Sequence, residues 1–147
     1  MRVLIRAATP DDATDLVQLC RAHAEYEGLP YQAEGHALRL GAALADGRVH
    51  VWLLMQDGQA AGYAAATLDF ATLSARPFLH LDCLYVDDAL RGQGWGSELM
   101  ATVRRHARTK GCGELQWQTP AWNEGAIRFY DRSGATGKPK QRYVLAI

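Results

Sequence analysis

The residues of this chain whose types and spacing could do chemistry begin with Arg91-Gly92-Gln93-Gly94-Trp95-Gly96. Alternate glycines between an apolar run and an amphipathic one permit positive φ and close approach of the backbone to a ligand. They also leave N–H groups uncovered at the positive end of a helix dipole. Gly92, Gly94 and Gly96 supply that geometry, and Ser97 opens the helical run. Phosphate oxygens are the ligand such a loop serves, and Arg91 adds charge-assisted donors for a pyrophosphate. No G-x-x-x-x-G-K-[ST] occurs, and Gly92-x-Gly94-x-x-Ser97 only approximates the dinucleotide fingerprint. A second signal is Asp82, a carboxylate inside the strand-like run 78–86. An unpaired charge among apolar neighbours is costly, so a functional or paired role is expected of it. The five histidines form no ligand cluster and the three cysteines lack metal-ligand spacing, so no metal site is expected.

The surrounding elements must hold these residues in place. Residues 3–5 read as a strand, and Thr9-Pro10-Asp11-Asp12 then offers an N-cap, a first-turn proline and an acid at the third helical position. Ala13, Leu16, Val17, Cys20 and Ala24 recur on one face of a 3.6-residue period, and this helix ends near Tyr26-Glu27-Gly28. Residues 37–45 are a second helical candidate, closed by Asp46-Gly47. Residues 49–55 and 59–68 flank an Asp57-Gly58 pair, a hairpin signal. Residues 78–86 read as a central strand with both faces largely buried, His80, Asp82, Leu84 and Val86 on one side and Leu79, Leu81, Cys83 and Tyr85 on the other. The glycine loop opens a helix over 97–110, with Leu99, Met100, Val103 and Ala107 inward. Residues 115–119 form the next strand, Asn123 caps a short helix carrying Ala126, Ile127, Phe129 and Tyr130, and 143–147 closes the chain as a strand. This order predicts an α/β (α+β) domain, residues 1–147, with a mixed, largely antiparallel sheet of about six or seven strands flanked by about four helices.

Composition excludes some partners. Sixteen basic residues balance sixteen acidic ones, which argues against a surface built to hold nucleic acid or an anionic membrane. No apolar stretch approaches the ~20 residues needed to span a bilayer. The odd number of cysteines, Cys20, Cys83 and Cys112, reads as reduced thiols, and a cytoplasmic location is the expectation.

With loop and neighbouring elements in view, the chain resembles the GNAT acyltransferase superfamily, whose pyrophosphate pattern Q/R-x-x-G-x-G/A is met by Arg91-x-x-Gly94-x-Gly96. Leu81-Asp82-Cys83-Leu84-Tyr85-Val86 resembles the strand before that loop, and Asn123 with Phe129-Tyr130 resembles the second cofactor segment. Within the superfamily the chain is most similar to the spermidine/spermine and thialysine acetyltransferases. That likeness rests on Ala24-Glu25-Tyr26-Glu27, on Gly94-Trp95-Gly96-Ser97-Glu98, and on Trp122-Asn123-Glu124 followed by Ile127, Phe129-Tyr130, Arg132 and Gly134-Ala135. Asp82 stands where the subgroup tends to have a longer glutamate, and Ala121 where it tends to have an acid, which implies a different amine pocket.

The resemblance implies acetyl-CoA as cofactor. Its pantetheine arm would lie along the backbone of Leu84, Tyr85 and Val86, its pyrophosphate on Arg91, Gly92, Gln93, Gly94, Trp95, Gly96 and Ser97, with Asn123 and Ala126 as further contacts. Tyr130 stands where the family carries its general acid; a phenol of ordinary pKa about 10 is protonated at neutral pH and can donate to a departing sulfur. Asp82 is implied in catalysis and in the amine pocket, with Tyr26, Glu27, Gln116, Trp117 and Gln118. The implied reaction is N-acetylation of a primary amine on a small cationic acceptor, such as a polyamine, a diamine or a lysine-like amino acid. An aminoglycoside or protein-lysine acceptor, a non-catalytic acyl-CoA module and a nucleotide binder stand beside it, because acceptor pockets lie in variable loops. A homodimer is a further implication of the family.

Overall fold

Asp57 and Gly58 take φ of 50° and 81° in the two-residue turn that joins β2 (His50–Gln56) to β3 (Gln59–Ala71). The twist of such a turn matches the twist of the strands it connects, so the Asp-Gly pair sets Gln56 opposite Gln59; a bulge between Leu54 and Met55 then shifts the register by one residue, and Trp52 faces Ala64. The computed structural model describes residues 1–147. β1 (Val3–Ala7) pairs antiparallel with β2, β4 (Arg76–Val86) antiparallel with β3, and β5 (Leu115–Gln116) parallel with β4. The sheet is mixed and mostly antiparallel as expected, but it has five strands in the order β1-β2-β3-β4-β5, fewer than predicted. Residues 143–147, expected as a closing strand, pair with no strand, and Tyr143, Val144, Leu145 and Ile147 are exposed. β-propensity marks a segment that fits a pleated surface; it does not supply the partner edge.

Pro10–Asp12 forms one 3-10 turn closed by a capping box, and Arg6 clamps the Asp12 carboxylate with bonds of 2.9 and 2.8 Å. α1 (Ala13–Tyr26) follows directly, then α2 (His36–Ala45) and α3 (Trp95–Thr109). Leu16 and Leu19 of α1 bury against Val51, Leu53, Tyr63 and Ala65 on one face of the sheet. The alternate residues Leu54, Ala64, Ala66 and Leu79 point to the other face, where the buried stripe Leu99, Met100, Val103 and Ala107 of α3 meets β2, β3 and β4.

β4 breaks the expected alternation. Ala65 pairs with Cys83 and Ala66 with Leu81, which leaves Asp82 as the extra residue of a bulge. Residues opposite one another share a face, so Leu81 and Cys83 lie on opposite faces although they are two apart. The grouping of Leu79, Leu81, Cys83 and Tyr85 on one side is therefore corrected: Cys83 and Tyr85 join the α1-side core with Tyr63. Asp82, expected in a buried strand, is exposed. A bulge bends its strand and sharpens the twist. Pairing between β4 and β5 is confined to Leu79 with Leu115 and His80 with Gln116, and β5 ends at Gln116 rather than 119.

The chain divides into two compact units, Met1–Trp117 and Gln118–Ile147. The second holds α4 (Glu124–Arg132), whose N-cap Asn123 accepts a hydrogen bond from the Ala126 N–H at 3.2 Å. Gly134, at φ 92°, follows the end of that helix. No helix is long and apolar enough to cross a membrane.

Candidate active site

The outer edge of β4 beyond His80 has no strand partner, because β5 has already ended. That edge carries Leu84, Tyr85 and Val86, all partly buried, and leads through the turn Asp88–Leu90 into the glycine loop. Leu90, 1% exposed, anchors the loop in the core. Gly92 and Gly94 take φ of 74° and 89°, and Gly94 is the N-cap of α3 with no side chain covering the helix end. The first helical bond after it runs from the Glu98 N–H to the Gly94 carbonyl at 3.1 Å. The N–H groups of Trp95, Gly96 and Ser97 precede it and have no acceptor within the helix. A Cβ built on Gly92 or Gly94 would meet nothing within 4 Å, so the space before these donors is open. A free strand edge leading into a donor-lined cradle fits an extended arm joined to a diphosphate, as in coenzyme A. The Gln93 side chain turns away from that space to donate to the Ala89 carbonyl at 3.1 Å.

Arg91 is held differently from a simple phosphate ligand. Its Nε donates to the Val86 carbonyl at 2.7 Å and its Nη1 lies 3.4 Å from Asp88. The guanidinium stacks over Tyr26 at 4.4 Å and reaches Tyr85 at 5.4 Å. Arg91 thus ties the loop to the end of β4 and to the last turn of α1.

On the α1 side of β4 the structure gathers Tyr26, Glu27, Asp82 and Tyr85 around two groups that sequence reasoning passed over, His23 and Tyr63. His23 Nδ1 lies 2.7 Å from the Tyr63 hydroxyl, and its Nε2 lies 3.5 Å from Glu27 Oε2. The imidazole stacks on Tyr85 with ring centroids 5.1 Å apart. Burial lowers the His23 pKa, opposed by the charges of Glu27 and Asp82 and assisted by Arg91. Burial also raises the Tyr63 phenol far above its ordinary range, and pushes the Cys83 thiol up to about 12 with help from the Asp82 charge. Two signals in the sequence point to this pair: the i,i+4 spacing of His23 and Glu27, and a tyrosine within the small-residue run of β3.

Gln116 is exposed on β5 and its amide donates to Glu114 Oε1 at 2.9 Å; Trp117 is partly buried at the end of the first unit. Gln118, Asn123, Ala126 and Tyr130 belong to the second unit. There Asn123 caps α4, and the Tyr130 ring meets Phe129 edge-on at 5.3 Å. No cluster of three or more His, Cys, Asp or Glu side chains could hold a metal ion.

Fold and site together have the free edge and the donors that suit an extended, diphosphate-bearing ligand. The model of the Acetyltransferase (GNAT) family matches residues 16–135, and the chain belongs to that family. It is an acetyl-CoA-dependent N-acetyltransferase. Among its relatives, the thialysine N-epsilon-acetyltransferase of Bos taurus is 31% identical over 143 residues, 90% of this chain and 84% of that protein. The aminoalkylphosphonate N-acetyltransferase of Salmonella typhimurium is 32% identical over 132 residues, 88% of this chain and 82% of that protein. The fold is shared with a solved AAC(6')-Iy in complex with a CoA bisubstrate analog, at a TM-score of 0.84 and 20% identity over 100% of this chain and 99% of that one.

Proposed function

We propose that this enzyme acetylates a primary amine on a small cationic acceptor: a polyamine, a diamine or a lysine-like amino acid. The observation that carries this reading is the pair of carboxylates, Glu27 at the end of α1 and Asp82 on the bulge of β4, both close enough to His23 to act on its charge. Of two carboxylates on the face beside the free edge of β4, Glu27 can hold a charged ammonium of the acceptor while Asp82 passes the reacting nitrogen's proton to water. The thialysine acetyltransferases, at about 30% identity over most of the chain, support an acceptor of this kind.

Acetyl-CoA supplies the acyl group and the leaving thiolate. In this reading the backbone of Leu84, Tyr85 and Val86 holds the extended arm as an added strand would, and an N–H there polarises the acyl carbonyl. The N–H groups over 92–97 hold the pyrophosphate, with Arg91 bracing the loop; Asn123 and Ala126 are further cofactor-binding residues of this proposal. The neutral amine attacks the acyl carbon and an N–C bond forms; the C–S bond breaks, the Tyr130 hydroxyl protonates the sulfur, and the proton shed by the acylated nitrogen returns through water to the Tyr130 oxygen. Tyr26, Gln116, Trp117 and Gln118 complete the acceptor pocket in this proposal.

The test is a panel of small amines, including diamines, spermidine, lysine and thialysine, incubated with acetyl-CoA while free thiol is followed and products are weighed by mass spectrometry. Thiol release matched by a mono-acetylated diamine or lysine analogue is the expected result. No turnover with any member of the panel overturns the acceptor assignment.

A further inference from the structure

Glu27 occupies an unfavourable place for an anion. It is the C-cap of α1, where the exposed carbonyls give the helix dipole its negative end. A carboxylate kept there is expected to have something that compensates and orients it, and one turn back on the same face stands His23.

The His23 ring is fixed on several sides. Tyr85 stacks on it at 5.1 Å and 27°, Tyr63 meets it edge-on at 5.7 Å and 72°, and the Tyr63 hydroxyl lies 2.7 Å from Nδ1. Tyr63 itself is 3% exposed and cannot move without disturbing the core. Its hydroxyl stays protonated because burial disfavours the phenolate, and the Cys20 and Cys83 thiols beside it are held protonated by the same burial. The Tyr63 hydroxyl therefore always carries a hydrogen, which it can give to Nδ1 or to the Cys20 and Cys83 sulfurs beside it; the Glu27 side of the ring decides between these. The opposite arrangement, with hydrogen on Nδ1, would aim a lone pair of Nε2 at the Glu27 carboxylate across 3.5 Å, which is repulsive. Geometry selects the neutral tautomer with hydrogen on Nε2, directed at Glu27.

Resting on the amine reading above, we infer that His23 is a positioning residue for the acceptor: Tyr63 sets its tautomer, and its Nε2–H holds the Glu27 carboxylate on the α1 face of the sheet to receive the acceptor's ammonium. Specificity for a cation then depends on a relay of three side chains from β3 and α1, in which only Glu27 touches the acceptor. The groups facing His23 are Glu27 on α1, Tyr63 on β3, Asp82 and Tyr85 on β4, and Arg91 beyond β4, while Cys20 and Cys83 flank the Tyr63 hydroxyl. Protonating His23 would place a cation between Glu27 and Asp82 and compete with the acceptor for both.

The experiment uses the full chain, acetyl-CoA and 1,4-diaminobutane. His23→Leu should raise KM for the diamine about tenfold with kcat within about twofold. KM for acetyl-CoA should not move. His23→Gln, which can direct an N–H toward Glu27, should recover most of the loss; kcat/KM for the diamine should fall with pH in every variant as the acceptor protonates, and His23→Gln should remove only the extra steepening that protonation of His23 adds below its ordinary 6.5. On a Glu27→Gln background, His23→Leu should add nothing. An unchanged diamine KM, a loss that adds to that of Glu27→Gln, or a loss confined to kcat overturns the proposal. Should His23→Leu fail to fold, Tyr63→Phe tests the same relay and should raise the diamine KM in the same direction. A readout independent of turnover is the ¹⁵N spectrum of His23 at pH 7. Hydrogen on Nε2, lost in favour of mixed tautomers in Tyr63→Phe, supports the relay; hydrogen on Nδ1 in the wild type overturns it. Absence of turnover with every amine defeats the acceptor reading, while the ¹⁵N spectrum still decides the place of His23.

Discussion

Gly62 sits where β3 crosses the cofactor-side end of β4, and replacing it with alanine is the sharpest perturbation of that edge. A Cβ at this position would lie 2.7 Å from the Tyr85 carbonyl oxygen, 3.2 Å from the Val86 Cα and 3.2 Å from Leu54 Cδ2. Two of these three are backbone atoms, so a side-chain rotation cannot relieve the clash. Restoring ordinary contact at about 3.4 Å requires the strands to part by about 0.7 Å. Forcing a methyl into a packed core costs about 1–3 kcal/mol. At about 2–4 °C per kcal/mol for a domain of this size, Gly62→Ala should lower Tm by about 6 °C. The displaced atoms belong to Tyr85 and Val86, where the proposal puts the pantetheine arm. A shift of this size should therefore lower kcat/KM for acetyl-CoA roughly tenfold. Differential scanning calorimetry and steady-state kinetics with varied acetyl-CoA read the two effects. Gly113→Ala is the control, since a Cβ there meets nothing within 4 Å and φ is ordinary. An unchanged Tm together with unchanged kcat/KM in Gly62→Ala would mean that β3 and β4 have slack at this crossing, and would refute the reasoning.

Other outcomes follow from single contacts. Asn123→Ala removes the cap bond to the Ala126 N–H, which should cost about 1 kcal/mol and speed hydrogen exchange in the first turn of α4. Tyr130→Phe should lower kcat about a hundredfold while leaving the Kd for acetyl-CoA within about twofold, as calorimetry would show. His50 and His106 lie ring against ring, tilted by 48° with centroids 4.5 Å apart, His106 Nε2 is buried with no hydrogen-bond partner, and burial lowers both pKa values from the ordinary 6.5. The folded state therefore binds fewer protons than the unfolded one. The stability held above pH 6.5 is lost progressively as pH falls from there toward the folded pKa values, and His106→Phe should flatten that part of a Tm-against-pH curve.

Much of this protein could be read from its residues because the strongest signals were local. The Asp57-Gly58 turn, the capping box before α1, Asn123 at the start of α4 and the glycines around 92–96 each carry their own geometry. What the sequence hid is what depends on pairing between distant segments. The bulge at Asp82 is visible only when Ala65 and Ala66 are set against Cys83 and Leu81, so strict alternation misassigned the faces of β4. β5 was expected to run to 119 but has only two paired residues, and 143–147 looks like a strand yet pairs with none. The carboxylates were legible as chemistry. The imidazole beside Glu27 left only its i,i+4 spacing in the sequence, because its partner Tyr63 lies forty residues away and reaches it only through the packing of α1 on β3.

The acceptor assignment is tested most directly by comparing kcat/KM for 1,4-diaminobutane and n-butylamine at fixed acetyl-CoA and low ionic strength. Both present the same reacting amine, whose proton Asp82 would pass to water, and only the diamine carries a second cation for Glu27 to hold. The account predicts a preference for the diamine of about tenfold or more, shrinking with added salt and in Glu27→Gln. Equal turnover of the two amines, insensitive to salt, would contradict it.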